Sequence, residues 1–138
     1  MFKPNGILPA LVTPFTEDSK EIDESQLRML VNHCIDQGVS GVVPCGTTGE
    51  FVNITTEEKK KVISTVIAEV NGRVPVIAGT GASGTDQALE MTKYAKDAGA
   101  SAAIIVNPYY LKPADRGIYE HYNTIASDVD LPIILYNI

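Results

Sequence analysis

Cysteine is scarce in this chain, with two residues in 138. Neither Cys34 nor Cys45 has a second cysteine or a histidine at the spacing of a common zinc motif, so a disulfide scaffold and a zinc site both lack support. Long apolar runs are also missing. The N-terminus carries none, and no later stretch approaches the ~20 consecutive apolar residues of a membrane span, so a soluble, cytoplasmic protein is expected. Positive charge is short too: the formal net charge is −6. A nucleic acid or an anionic membrane surface would be repelled unless a local basic patch intervened. The one basic run, Lys59-Lys60-Lys61, follows Glu57-Glu58 and reads as a solvated helix face. His33 and His121, the only histidines, fall within helical periods and read as ordinary helix residues rather than catalysts.

The hydrophobic fraction, 44% of 138 residues, suffices for one core of ordinary domain size. Short Val-, Ile- and Leu-rich runs alternate with longer segments of helical period, the pattern of parallel strands joined by covering helices. The runs Ile7–Val12, Gly41–Cys45, Val74–Ala78, Ala102–Val106 and Pro132–Tyr136 predict five strands in the order βαβαβαβαβ. The first helix is expected to start at Asp23, whose pairing with Gln26 resembles a capping box, and to stop at Gly38. Its buried stripe is Leu27, Leu30, Val31, Cys34 and Ile35. The second begins near Thr55 and ends at Asn71-Gly72, burying Val62, Ile63, Val66, Ile67 and Val70. The third spans about Thr85 to Asp97 and the fourth about Asp115 to Ser127. A faint internal echo relates Asp36–Val43 to Asp97–Ile104, and Val74–Ile77 to Leu131–Ile134. Each match skips one βα unit, which fits a (β/α)8 barrel, whose alternate strands supply alternate interior layers.

Parallel α/β architectures place function at the C-terminal ends of their strands. Those ends here carry Thr13-Pro14-Phe15, Gly46-Thr47-Thr48-Gly49-Glu50, Gly79-Thr80-Gly81-Ala82, Asn107-Pro108-Tyr109-Tyr110 and Tyr136-Asn137. Hydroxyls and phenols recur while charges are few, as suits a partly dry pocket that polarises and relays protons. In Gly46–Glu50, two glycines permit a sharp turn and close approach, and two threonines add hydroxyls beside exposed backbone N–H groups. That combination suits a small carboxylate; an ordinary tight turn is the plain alternative. Gly79-Thr80-Gly81-Ala82-Ser83-Gly84 is a literal GxGxxG between strand and helix. A dinucleotide site would want an acidic residue near the end of the following strand, where Val106-Asn107 stands instead.

In combination, Gly6–Phe15, Gly46–Glu50 with Glu58 eight residues on, Ala78-Gly79-Thr80-Gly81, Pro108-Tyr109-Tyr110 and Tyr136-Asn137 carry a resemblance. From about residue 5 to residue 138, the chain resembles the N-terminal half of the dihydrodipicolinate synthase and N-acetylneuraminate lyase family of class I aldolases. Those proteins are (β/α)8 barrels acting on pyruvate through a lysine Schiff base. Residues 1–138 would then form one truncated half-barrel domain.

The resemblance implies that Thr47 and Thr48 bind the pyruvate carboxylate and that Tyr136 passes protons during imine formation and breakdown. Thr47 would link Tyr136 to Tyr110, which in the synthases reaches the active site of a neighbouring subunit, and Glu50 would serve the loop's structure. No cofactor is implied. The nucleophilic lysine of the family lies on strand six, beyond this sequence, and none of the lysines present suits the role. The implied reaction of the complete barrel condenses pyruvate with aspartate semialdehyde in lysine biosynthesis, its aldehyde specificity depending also on an arginine expected after Tyr136. Cleavage of N-acetylneuraminate or of a 2-keto-3-deoxy sugar acid is the alternative within the family. A noncatalytic module, pairing with itself or with a complementary half, is the alternative outside it. This chain alone is expected to be inactive, and to oligomerise through exposed sheet edges or the Tyr110 interface.

Overall fold

A computed structural model describes residues 3–18 and 20–138. Four helices and three strands form in the order α1 (Glu24–Asp36), α2 (Thr56–Val70), β1 (Ile77–Gly79), α3 (Thr85–Ala98), β2 (Ala102–Val106), α4 (Asp115–Asp128) and β3 (Ile133–Tyr136). The strands pair in parallel as β1-β2-β3, with Ile77 opposite Ala102 and Ala103 opposite Ile133.

The five expected strands are corrected to three, flanked by single parallel bridges between Ala10 and Val43 and between Val42 and Val76. Proline explains the loss. Pro9, Pro44 and Pro75 lie in these runs and have no N–H to contribute to a ladder, so few rungs can form. The residual pairing still has parallel register, through Leu11 N–H to Val43 O (3.0 Å), Val43 N–H to Pro9 O (2.9 Å) and Gly79 N–H to Pro44 O (2.9 Å). Segments 9–11 and 42–43 therefore extend the sheet in sequence order without being full strands.

Helix boundaries follow their caps. The Asp23 carboxylate accepts from Gln26 N–H at 3.0 Å, satisfying one of the unpaired donors of α1. At α2, Thr55 accepts from Glu58 N–H (3.3 Å) while the Glu58 carboxylate accepts from Thr55 N–H (2.7 Å), a complete capping box. Asn71 and Gly99 end α2 and α3 in the left-handed conformation that an Asn or Gly tolerates best. The apolar stripes bury Leu27 and Val31 of α1, and Val62, Ile63, Val66 and Val70 of α2, in the main core; Leu30, Cys34 and Ile35 pack at its margin. A second core joins Ala88 of α3 and Ile125 of α4 to Ala103 and Ile105 of β2.

The helices pack in sequence order, α1 on α2, α2 on α3 and α3 on α4, forming one layer on one side of the sheet. Strand residues alternate accordingly, as the two-residue period of a pleated strand requires. Ala103, Ile105 and Ile133 join the helix-side core, while Ile104 and Ile134 join a separate cluster with Val43 and Ile77 on the other face. The apolar sheet margins are exposed, as the sequence leads one to expect: Ile7 is 72% accessible at one side and Leu135 62% at the other.

Candidate active site

At the C-terminal ends of the strands lies a cavity of about 200 Å³, lined by Thr47, Thr48, Phe51, Gly81, Val106 and Tyr136 among others. Pro44 ends the second strand run, and Cys45 turns the chain with a φ of +57° into Gly46–Glu50. The loop closes on itself through Gly49 N–H to Gly46 O (3.0 Å) and Glu50 N–H to Thr47 O (3.0 Å). Thr13 anchors it from the first strand run, donating to Gly49 O at 2.8 Å. A side chain at Gly49 would meet Leu11 O at 2.9 Å, so close packing explains this glycine; Gly46 has room for one. The outcome leaves Thr47 and Thr48 exposed, with hydroxyls free to meet a ligand.

Tyr136 approaches from β3. Its phenol oxygen lies 3.5 Å from Thr47 Oγ1, at the outer limit of a hydrogen bond. Its backbone is fixed by residues that sequence reasoning passed over for such a role. Asn107 N–H donates to Tyr136 O (3.1 Å), and the buried Asn107 side chain accepts from Ile138 N–H (3.2 Å). Tyr122 of α4 donates to Ile105 O (3.0 Å) and reaches Tyr136 O at 3.4 Å. A polar residue directly after a buried strand was the available signal for Asn107; Tyr122, one of several tyrosines on or near α4, had none.

The remaining expected residues part company. Tyr110 is 87% accessible and stays outside the cavity of its own chain. Glu50 accepts from Asn53 Nδ2 at 3.1 Å, a bond internal to the loop. Thr80 does not face the cavity: it is buried, with its hydroxyl 2.8 Å from that of Thr92 in α3. The first two GxGxxG glycines answer to packing, since a side chain at Gly79 would strike Cys45 O at 2.0 Å and one at Gly81 would strike Val106 Cγ1 at 2.6 Å.

Among the described residues, no lysine lines the cavity. Lys59 comes nearest through an intermediary: its ammonium sits 5.4 Å from the centre of the Phe51 ring, and partial burial lowers its pKa. Cys45 does line the cavity, but burial pushes its thiol up to about 12, which keeps it neutral and unreactive. His33 is exposed on α1, and His121 is buried between α3 and α4 with Nδ1 3.0 Å from Thr85 Oγ1. Among the described residues, no three His, Cys, Asp or Glu side chains gather where a metal could bind, and no helix is long and apolar enough to cross a membrane.

The fold that carries this cavity is one that known proteins share. The chain belongs to the dihydrodipicolinate synthetase family, whose model matches residues 3–138. It is 50% identical over 137 residues to the 4-hydroxy-tetrahydrodipicolinate synthase of Methanopyrus kandleri, covering 99% of this chain and 46% of that protein. The same enzyme from Nitratidesulfovibrio vulgaris (strain Miyazaki F) is 49% identical, with 96% and 45% covered. Dihydrodipicolinate synthase from Aquifex aeolicus superposes with a TM-score of 0.93 at 47% identity, covering 96% of this chain and 45% of that one. So does the enzyme from Acinetobacter baumannii complexed with pyruvate, at a TM-score of 0.93 and 48% identity, with the same shares covered. The chain spans somewhat under half the length of the relatives it matches, corresponding to their N-terminal half.

Proposed function

We propose that this chain carries the carboxylate-binding and proton-relay portion of a pyruvate-dependent aldolase site of the 4-hydroxy-tetrahydrodipicolinate synthase type. Thr47 and Thr48 hold the pyruvate carboxylate through their hydroxyls and the backbone N–H groups of their loop. Tyr136, in contact with Thr47, moves protons at the pyruvate carbonyl: it protonates the departing oxygen as an amine condenses with C2 and water leaves, and serves the reverse step at release. Tyr110 completes the relay in a neighbouring subunit. The single observation that carries this reading is the 3.5 Å approach of Tyr136 Oη to Thr47 Oγ1 at the mouth of a small, mainly apolar cavity.

Among the described residues, no amine reaches the cavity. Imine formation needs a lysine there, which the family resemblance puts on a sixth strand, and the second substrate, aspartate semialdehyde, draws on residues beyond position 138. Residues 1–138 taken alone are therefore expected to be inactive. Two measurements test this. Pyruvate added to ¹⁵N-labelled protein is expected to shift the amide resonances of Thr47 and Thr48 saturably, and Thr47→Val with Thr48→Ala to abolish the shift; undisturbed resonances in the parent would refute the cradle. Borohydride reduction in the presence of pyruvate is expected to leave the mass unchanged, and an adduct on Lys59 or any other lysine would refute the missing amine.

A further inference from the structure

Asn107, the residue that follows β2, stands between the two segments that bear Tyr136 and Tyr110. It is buried, and both ends of its side-chain amide are engaged with main chain. Its Oδ1 accepts from Ile138 N–H at 3.2 Å, and its Nδ2 donates to Pro108 O at 3.2 Å. With its own N–H donating to Tyr136 O at 3.1 Å, one residue holds two successive peptides after Tyr136 and the peptide that opens Tyr109-Tyr110. Tyr122 reinforces the first of these from α4, its hydroxyl lying 3.0 Å from Ile105 O and 3.4 Å from Tyr136 O. The Tyr136 side chain is itself exposed, and among the described residues its phenol meets only Thr47 Oγ1, at 3.5 Å. A ring so lightly held takes its direction from its backbone, and the 3.5 Å contact leaves no slack before the hydrogen bond is lost.

We infer that Asn107 is a positioning residue of the proton relay, its amide fixing the main chain from which Tyr136 reaches Thr47 and, at its other end, the root of the Tyr109-Tyr110 segment, with Tyr122 bracing the Tyr136 peptide. The inference rests on the proposed function for its catalytic meaning and on hydrogen-bond geometry for the rest. A misplacement of ~1 Å at a reacting group can cost about 10²-fold in rate, so a brace of this kind bears on turnover without touching substrate. The two ends of the amide do separate work. Alanine at 107 would leave Ile138 N–H and Pro108 O without their partner, whereas aspartate keeps the shape and the acceptor for Ile138 N–H but loses the donor to Pro108 O.

NMR of the ¹³C,¹⁵N-labelled chain, read without pyruvate, tests the inference. The parent is expected to show a nuclear Overhauser contact between the Tyr136 ring and the Thr47 methyl group. Asn107→Ala combined with Tyr122→Phe should abolish that contact and speed exchange of the Ile138 amide by about tenfold, the size of one hydrogen bond. Asn107→Asp should keep both signals while moving the Tyr109 amide resonance, whose peptide carbonyl has lost its donor. Asp23→Ala, which weakens the fold at the distant α1 cap, should leave all three signals in place, as a merely structural role for Asn107 would not predict of the 107 variants. A contact absent from the parent, retained in the double variant or lost equally in Asp23→Ala overturns the inference. Should the double variant unfold, Asn107→Asp decides alone: a moved Tyr109 amide with the Tyr136–Thr47 contact intact supports the inference, and any other result overturns it. Pyruvate added afterwards should still shift Thr47 and Thr48 in Asn107→Asp; a parent that shows the ring contact but no pyruvate shift fails the carboxylate cradle and not the positioning.

Discussion

Alanine at Gly79 would be felt both in the fold and in the loop that carries Thr47 and Thr48. A Cβ there would lie 2.0 Å from Cys45 O, 2.5 Å from the Cys45 carbonyl carbon and 3.0 Å from Pro44 O. All three atoms are backbone, so no side-chain rotation can relieve the clash. The same residue donates its N–H to Pro44 O at 2.9 Å, and the strain therefore falls on a rung of the sheet. Overpacking a close-fitted core costs ~1–3 kcal/mol, and a backbone obstacle belongs at the top of that range. With an unfolding entropy near 2.1 cal/mol/K per residue, ~3 kcal/mol corresponds to a loss of about 10 °C in Tm. Thermal unfolding followed by circular dichroism measures it. Gly84, the last glycine of the same GxGxxG, has no atom within 4 Å of its would-be Cβ and caps α3 at a φ of −126°. Gly84→Ser is accordingly expected to be neutral or to stabilise by a few tenths of a kcal/mol. A Gly79→Ala protein melting within about 3 °C of the parent would refute the packing account of this motif.

Four further outcomes follow from the described contacts. In a polypeptide that joins this segment to the remaining portion of a relative such as the Methanopyrus kandleri synthase, Tyr136→Phe and Thr47→Val are each expected to lower kcat by about 10²-fold without altering Tm, as measured by product formation and calorimetry; loss of a relayed proton has that size. Thr55→Ala should cost ~1 kcal/mol in a urea titration by removing half of the α2 capping box. The Thr55 backbone N–H, followed by the Thr55 hydroxyl, holds the Glu58 carboxyl below its ordinary pKa. That contribution is complete above the unfolded carboxylate pKa and fades as pH falls through the folded one, so Glu58→Gln should flatten the acid limb of the stability profile. His121 is buried with Nε2 unpartnered among the described residues, and desolvation holds its pKa below the usual imidazole value. The unfolded chain thus binds the proton more readily, and stability present above ~6.5 should decline on acidification below it. Denaturation midpoints at pH 7.5 and 5.5 should separate for the parent and converge for His121→Phe.

Local chemistry made the helices readable. Asp23, Thr55 with Glu58, Asn71 and Gly99 act through their immediate neighbours, and each boundary falls within a residue or two of its expected place. The strand runs were harder because apolar content says where a segment is buried but not how many rungs it forms. Ala102–Val106 contains no proline and pairs along its length, while Ile7–Val12 and Gly41–Cys45 contain Pro9 and Pro44 and hold only bridges. At the site, the loop and Tyr136 could be placed from their position at strand ends, and the structure brings them to within 3.5 Å. The inward turn of Thr80 toward Thr92, the anchoring of Tyr136 by Asn107 and the crowding of Gly79 against Cys45 arise between segments distant in sequence, where periodicity carries no information.

Each parallel segment lies beside the one made just before it, and each helix rests on its predecessor. Among the described residues the parallel pairing runs between successive segments, so these βα units can be laid down in order while the chain is still emerging from the ribosome, sparing them the slow search that long-range strand pairing imposes.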